Sequence, residues 1–211
     1  MKVLVFGSTG GIGRQVVKYA LKNGVDVVAY VRNPTKMGFT SSILTIVKGD
    51  ITNYEEIKKA MRGCDVVINC LGISLKPFDK DYPAVVANKL IIKAMKEGDV
   101  KRYITWATPS VKARGDKKSY ITLIPSVMAG LFLPNAKRAL VSIAQEIEKS
   151  GLDWTIVRFM APNNKPSIGK VKVSFGREKL SFNISRSDIA KFMVDQIDSS
   201  KYIHKMPIIG S

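Results

Sequence analysis

The sequence predicts a doubly wound α/β fold: a parallel sheet with helices on both faces, extended by a small C-terminal hairpin and helix. Three observations carry that expectation. Short, β-rich apolar runs alternate with helical periods from the first residue onward. The runs are apolar throughout, as strands buried on both faces must be, and a glycine-rich turn joins the first run to the first helical period. Composition agrees, since 211 residues with 45% apolar and 24% charged content suit one ordinary domain over residues 1–211. A core of that size needs neither disulfide nor metal.

Taken in order, residues 3–6 (Val-Leu-Val-Phe) read as the first strand, and 11–22 as a helix whose Ile12, Val16, Val17 and Ala20 share one face. Residues 25–31 form the second strand, 44–47 the third, 54–61 a helix and 66–71 the fourth strand. A helix over 84–96, a fifth strand over 103–107, a helix over 137–149 and a sixth strand over 155–158 complete the alternation. Beyond Arg158 the pattern loosens. Residues 170–175 and 179–184 alternate around Gly176-Arg177 and suggest a hairpin over the sheet's ligand edge. Ser187 reads as the cap of a helix over 188–197, and 206–209 as an added edge strand. Between the fifth strand and the next helix, residues 109–135 hold three prolines and read as a long lid or mobile segment.

Charge is the anomaly. Lys and Arg outnumber Asp and Glu 34 to 17, a net +17 that attracts anions at long range. Two denser patches occur, one of Lys101, Arg102, Lys112, Arg114, Lys117 and Lys118, the other of Lys165, Lys170, Lys172, Arg177 and Lys179. Neither interleaves aromatics as a base-stacking platform does, so a solvated basic surface is favoured over nucleic acid, which the charge still admits. Cys64 and Cys70 form no CxxC pair and His204 is the single histidine, which argues against a metal site. No signal-like leader is read, and the longest apolar candidate for a span, residues 121–134, is broken by Pro125, Gly130 and Pro134. A reducing, cytoplasmic setting is expected.

The motif with chemical content is Gly7-Ser8-Thr9-Gly10-Gly11-Ile12-Gly13, placed between the first strand and the first helix. Gly7 permits the tight turn, Gly10 lets backbone approach a pyrophosphate, and Gly13 permits close packing of helix on strand. The anion then rests on free N–H groups at the positive end of the helix. Nineteen residues past Gly13, where an NAD-preferring fold places an acid, stands Arg32, with Lys36 close behind. Cations there suit a 2'-phosphate, so NADP is the expected cofactor.

With these residues the chain resembles the short-chain dehydrogenase/reductase superfamily, and specifically its atypical branch of biliverdin/flavin reductases and NmrA-like regulators. The Gly-x-Thr-Gly-x-x-Gly spacing, Val31-Arg32-Asn33-Pro34, Gly49-Asp50-Ile51, the segments 64–72, 101–108 and 150–158, and the late turn 184–190 follow that branch in order over nearly the whole chain. The resemblance implies adenine contact at Asp50 and Ile51, and a cofactor ribose beside Cys70, Leu71 and Gly72. It also implies a nicotinamide amide facing the backbone around Pro162, Asn163 and Asn164, and an asparagine, Asn88, that organises water in some relatives.

Departures fall where that superfamily does its chemistry. The hydroxyl at the end of the fifth strand is Thr108, able to donate one hydrogen bond and to touch the cofactor. Tyr120 lies near the spacing of a catalytic tyrosine, yet residue 124 is isoleucine, so no lysine one turn later lowers its pKa from about 10. Tyr54 and Lys58 have the Tyr-x-x-x-Lys spacing but belong to an earlier helix. Cys70, with no histidine near it in sequence, reads as a small hydrophobe. Two functions remain open: an NADPH-dependent reductase of a delocalised small-molecule acceptor (flavin, quinone or tetrapyrrole), or an NADP-sensing regulator. Oligomeric state is not legible.

Overall fold

A computed structural model describes residues 1–73, 82–117 and 119–211, the side chains of Tyr120 and Ile121 excepted. Six parallel strands stand in the spatial order β3-β2-β1-β4-β5-β6: β1 (Lys2–Phe6), β2 (Asp26–Val31), β3 (Leu44–Lys48), β4 (Val66–Asn69), β5 (Arg102–Ala107) and β6 (Asp153–Arg158). The remaining strands are β7 (Pro162–Asn163), β8 (Lys172–Ser174), β9 (Ile184–Ser185) and β10 (Ile208–Gly210). β10 joins β6 in parallel, and β8 closes the eight-stranded sheet antiparallel to β10. β7 and β9 pair separately.

The uninterrupted apolar runs are explained by burial on both faces. Along β1, Leu4 and Phe6 pack with α2 (Tyr54–Met61), α3 (Pro83–Glu97) and α5 (Pro134–Glu148). Val3 and Val5 pack with α1 (Gly11–Lys22) and α6 (Arg186–Val194) on the opposite face. Strand side chains alternate, so each strand feeds two cores at once. The chain reverses its winding between β1 and β4, and at that switch point the strand ends leave the crevice in which such sheets bind ligands.

Four expectations need correction. Residues 170–175 and 179–184 form no hairpin with each other: Val173 lies opposite Ile209, and Ile184 pairs with Pro162. Alternation marks a strand but does not name its partner. Consequently β10 is an interior strand, not an edge. The cap of α6 is Ser185, whose hydroxyl accepts from the Asp188 N–H at 2.9 Å, two residues before Ser187. The segment 109–135 is not irregular, for it carries α4 (Tyr120–Phe132) with Pro125 inside it. A proline costs one helical hydrogen bond, and α4 runs on through Pro125 without it. Among the described residues, α4 adds no apolar side chain to either core layer.

Candidate functional site

Gly7 holds φ at +72°, and a Cβ there would stand 2.6 Å from the Cys70 carbonyl oxygen, so the turn needs glycine for both its angle and its proximity to β4. Gly13 presses so closely on the turn that a Cβ would lie 2.2 Å from the Gly7 carbonyl. The Gly10 N–H donates to that same carbonyl at 2.9 Å. Ser8 turns inward, fully buried, and donates to Val5 O at 2.6 Å; it braces the turn. Thr9 is half-buried and Gly11 exposed. The start of α1 has neither a side-chain cap nor an acid in its first turn, leaving its N–H groups to an anion. Over them lies Arg186, its Nε 2.7 Å from where a Gly11 Cβ would begin and its guanidinium donating to Asn164 Oδ1 at 2.8 Å. This arrangement fits a pyrophosphate: a backbone cradle too tight for side chains, with a cation across it.

At the end of β2, Arg32 is exposed, and Lys36 sits in a short 3₁₀ turn that Asn33 initiates by accepting from the Thr35 N–H. Arg14, from α1, reaches the same turn and donates to Met37 O at 3.0 Å and to Lys36 O. Three cations therefore gather around one strand end. Hydrogen bonds from the Thr52 N–H and hydroxyl hold the Asp50 carboxyl below its usual range, and Arg32 adds to the effect. Tyr30 donates to Asp50 O at 2.8 Å, fixing that loop, and Ile51 packs half-buried against the core.

After β4, Leu71 has its N–H on Asn69 Oδ1 at 3.0 Å and its carbonyl accepting from Trp106 Nε1 at 2.9 Å. Asn69 Nδ2 in turn donates to the Tyr103 hydroxyl, and Tyr103 to Asn88 Oδ1, both at 2.8 Å. Asn88 is fully buried, and its Nδ2 finds no partner among the described residues.

These elements converge on a pocket of about 480 Å³. Its floor is the turn (Gly10, Gly11, Ile12) with Cys70, Gly72 and Ile73 from the end of β4. Trp106 and Phe159, stacked 5.6 Å apart, supply an aromatic wall. Pro125, Met128 and Ala129 of α4, Leu133, Ala136 and Leu140 beside or on α5, and Met160, Ala161 and Pro162 after β6 complete the apolar lining. Four lining groups carry polar chemistry. Thr108 and Ser110 share a hydrogen bond of 2.6 Å between hydroxyls, Lys137 donates to the Ser126 carbonyl at 2.8 Å and hydroxyl at 3.0 Å, and Arg186 faces in from the cradle. An apolar cavity with a few convergent polar groups is the form of a small-molecule site.

Gly10 and Gly11 of the turn, Cys70, Gly72, Thr108 and Pro162 thus meet in one place, while Arg32, Lys36, Asp50 and Ile51 lie along the neighbouring strand ends. Tyr120 begins α4, and its side chain lies outside the described residues. Burial pushes the Cys70 thiol up to about 12, consistent with a packing role. Lys58 pairs with Glu97 at 2.6 Å on the outer surface of α2 and α3. Sequence reasoning missed Arg14, Ser110, Lys137 and Arg186. Lys137 carried no local signal, since only the fold brings it to the pocket. Arg186 carried none, since only the folded chain brings α6 over α1.

A family model described as NAD(P)H-binding matches residues 7–200. An isoflavone reductase homolog from Solanum tuberosum is 28% identical, the match covering 97% of this chain and 67% of that protein. The chain spans only 41% to 67% of the length of the first two curated relatives it matches. Among solved structures, ChuY, an anaerobillin reductase from Escherichia coli O157:H7, superposes with a TM-score of 0.79 at 18% identity, covering 100% of this chain and 97% of the other. A wide-type short-chain dehydrogenase/reductase from Veillonella parvula, in complex with NADP, gives 0.78 at 15%, covering 100% and 94%. At these identities the structures establish the fold.

Proposed function

Because this chain belongs to the NAD(P)H-binding family, we propose that it is an NADPH-dependent reductase, folded as one dinucleotide-binding unit, whose acceptor is a planar, charge-delocalising molecule such as a flavin, quinone or tetrapyrrole. The observation that carries this reading is the pocket beside the glycine turn. It is apolar and walled by stacked aromatics that suit a flat ring system. An ordinary carbonyl needs a proton donor for its developing alkoxide, whereas a delocalised acceptor spreads the arriving charge, so positioning can suffice.

The N–H groups of the α1 start and Arg186 would hold the pyrophosphate; Arg32, Lys36 and Arg14 would surround a 2'-phosphate. When bound, NADPH supplies the hydride. The aromatic wall orients a flat ring system and excludes water from it. Thr108 and Ser110 can donate to an acceptor oxygen, and Lys137 and Arg186 offer charge to acidic substituents. The test is NADPH oxidation across flavins, quinones, tetrapyrroles and simple carbonyls. Turnover confined to the delocalised acceptors is expected; a preference for simple carbonyls would overturn the reading. Cofactor binding without turnover of any acceptor would favour the regulator instead.

A further inference from the structure

An ordinary surface helix turns its polar side outward. α4 does the reverse. Thr122 and Ser126 face inward at 6% exposure beside the buried Pro125, while Leu123, Ile124, Val127, Met128, Leu131 and Phe132 stand between 49% and 71% exposed, Met128 also lining the pocket. Those positions recur in pairs every four residues, so they form one continuous apolar face. Among the described residues, only Met1, Val86 and Ile168 are further large apolar side chains left so open. The helix is tied down from within by the bonds of Lys137 to Ser126, and is therefore presented as a formed surface.

Charge says what the face meets. Residues 109–145 contain six cations (Lys112, Arg114, Lys117, Lys118, Lys137 and Arg138) against one acid, Asp116. That acid is consumed in a buried pair with Arg158. Lys112, Arg114 and Lys117 are exposed on the loop entering α4, and Arg138 is exposed beyond its end. A second copy would bring the same cationic rim and the same net +17 to the contact, and the two would repel. A negatively charged bilayer complements both parts at once, taking the apolar face at the acyl boundary and the rim at the headgroups. Thirteen residues make a helix of about 20 Å, and no helix among the described residues is long and apolar enough to cross a membrane, so the contact lies in the surface plane.

We propose that α4 is an interfacial anchor that lays this protein on an anionic lipid surface. The inference does not depend on what the pocket reduces.

The test is vesicle flotation of the intact chain with phosphatidylcholine alone or mixed with phosphatidylglycerol, alongside sedimentation velocity without lipid. Binding is expected to the mixed vesicles, to fall as salt is raised, and to drop about tenfold or more for each of Leu131→Glu and Phe132→Glu. Replacing Lys112 or Lys117 by Glu should weaken it about fivefold or more. All four are exposed positions, and an unchanged melting temperature verifies the fold. Failure to float with anionic vesicles, or flotation undiminished in Leu131→Glu/Phe132→Glu, would overturn the proposal. So would self-association abolished by that double variant, which would assign the face to a second copy.

Discussion

Arg158 ends β6 with a fully buried guanidinium, and replacing it by methionine is the sharpest test of how the loop between β5 and α4 is held to the sheet. Its five N–H donors make five bonds: to Met206 O at 2.8 and 2.5 Å, to Val111 O at 2.9 Å, and to both carboxylate oxygens of Asp116 at 2.6 and 2.7 Å. Methionine fills much of the volume and supplies none of these donors. Asp116, only 9% exposed, keeps its bond from the Ala113 N–H but is left an uncompensated charge, and the Val111 carbonyl loses a partner. Breaking a buried pair in this way costs about 3–5 kcal/mol. For a chain of this length each kcal/mol lowers Tm by about 2–4 °C, so a fall of roughly 6–20 °C is expected. Urea unfolding of Arg158→Met, Asp116→Leu and the double variant measures it. The double variant should be no less stable than Arg158→Met, because it removes the stranded charge. A loss below about 1 kcal/mol in Arg158→Met would mean that the pair behaves as an exposed one in solution, and the reasoning would fail.

Other substitutions probe the site directly. Arg32→Ala should weaken NADPH by roughly 10- to 150-fold while sparing NADH, as read by fluorescence titration; equal wild-type affinities for the two would remove NADP as the preferred cofactor. Gly13→Ala drives a methyl group against the Gly7 carbonyl, and should cost about 1–3 kcal/mol of stability together with cofactor binding; intact NADPH titration would show that the cradle tolerates it. Thr108→Val should slow reduction of the best delocalised acceptor by less than about tenfold, whereas a loss near a thousandfold would point to localised carbonyl chemistry. Burial alone would raise the Asp188 carboxyl, but hydrogen bonds from Ser167, Ser185 and the Ile168 and Gly169 N–H groups outweigh it and hold the carboxyl below its usual value. Its stabilisation is thus present above about pH 4 and lost as pH falls through the depressed value, so Asp188→Asn should melt lower than wild type at pH 7 and converge with it in acid; a gap independent of pH would exclude this linkage.

Local pattern and covalent spacing were enough to read the six-stranded alternation and the glycine turn, because each strand's apolar run and each helix's period are written in consecutive residues. Pairing beyond β6 was not readable. Lys172–Ser174 and Ile208–Gly210 alternate or run apolar equally well beside any edge, and only β6's need for a neighbour selects the order found. α4 is obscured in the sequence by Pro125 and Gly130, which interrupt its apolar run although the helix continues through both. At the site, groups held by one turn were legible. Arg186 over Gly11 and Arg14 at Met37 are long-range meetings with no local trace.

The place of β10 bears on how the chain is made. Its three residues follow α6 in sequence yet sit between β6 and β8, with Gly210 so close to Ser181 that a Cβ would lie 2.1 Å from its carbonyl oxygen. On the ribosome, then, the glycine turn and the six strands can assemble while β6 still presents a bare hydrogen-bonding edge. β8 waits, already synthesised and without a partner, until residues 206–210 emerge. During that interval the nascent chain carries two open strand edges able to pair with a neighbouring polypeptide. Slow translation between β8 and β10 would lengthen this exposure, so aggregation during synthesis should respond to residues 206–210 more strongly than to changes of equal size in the loops around β3.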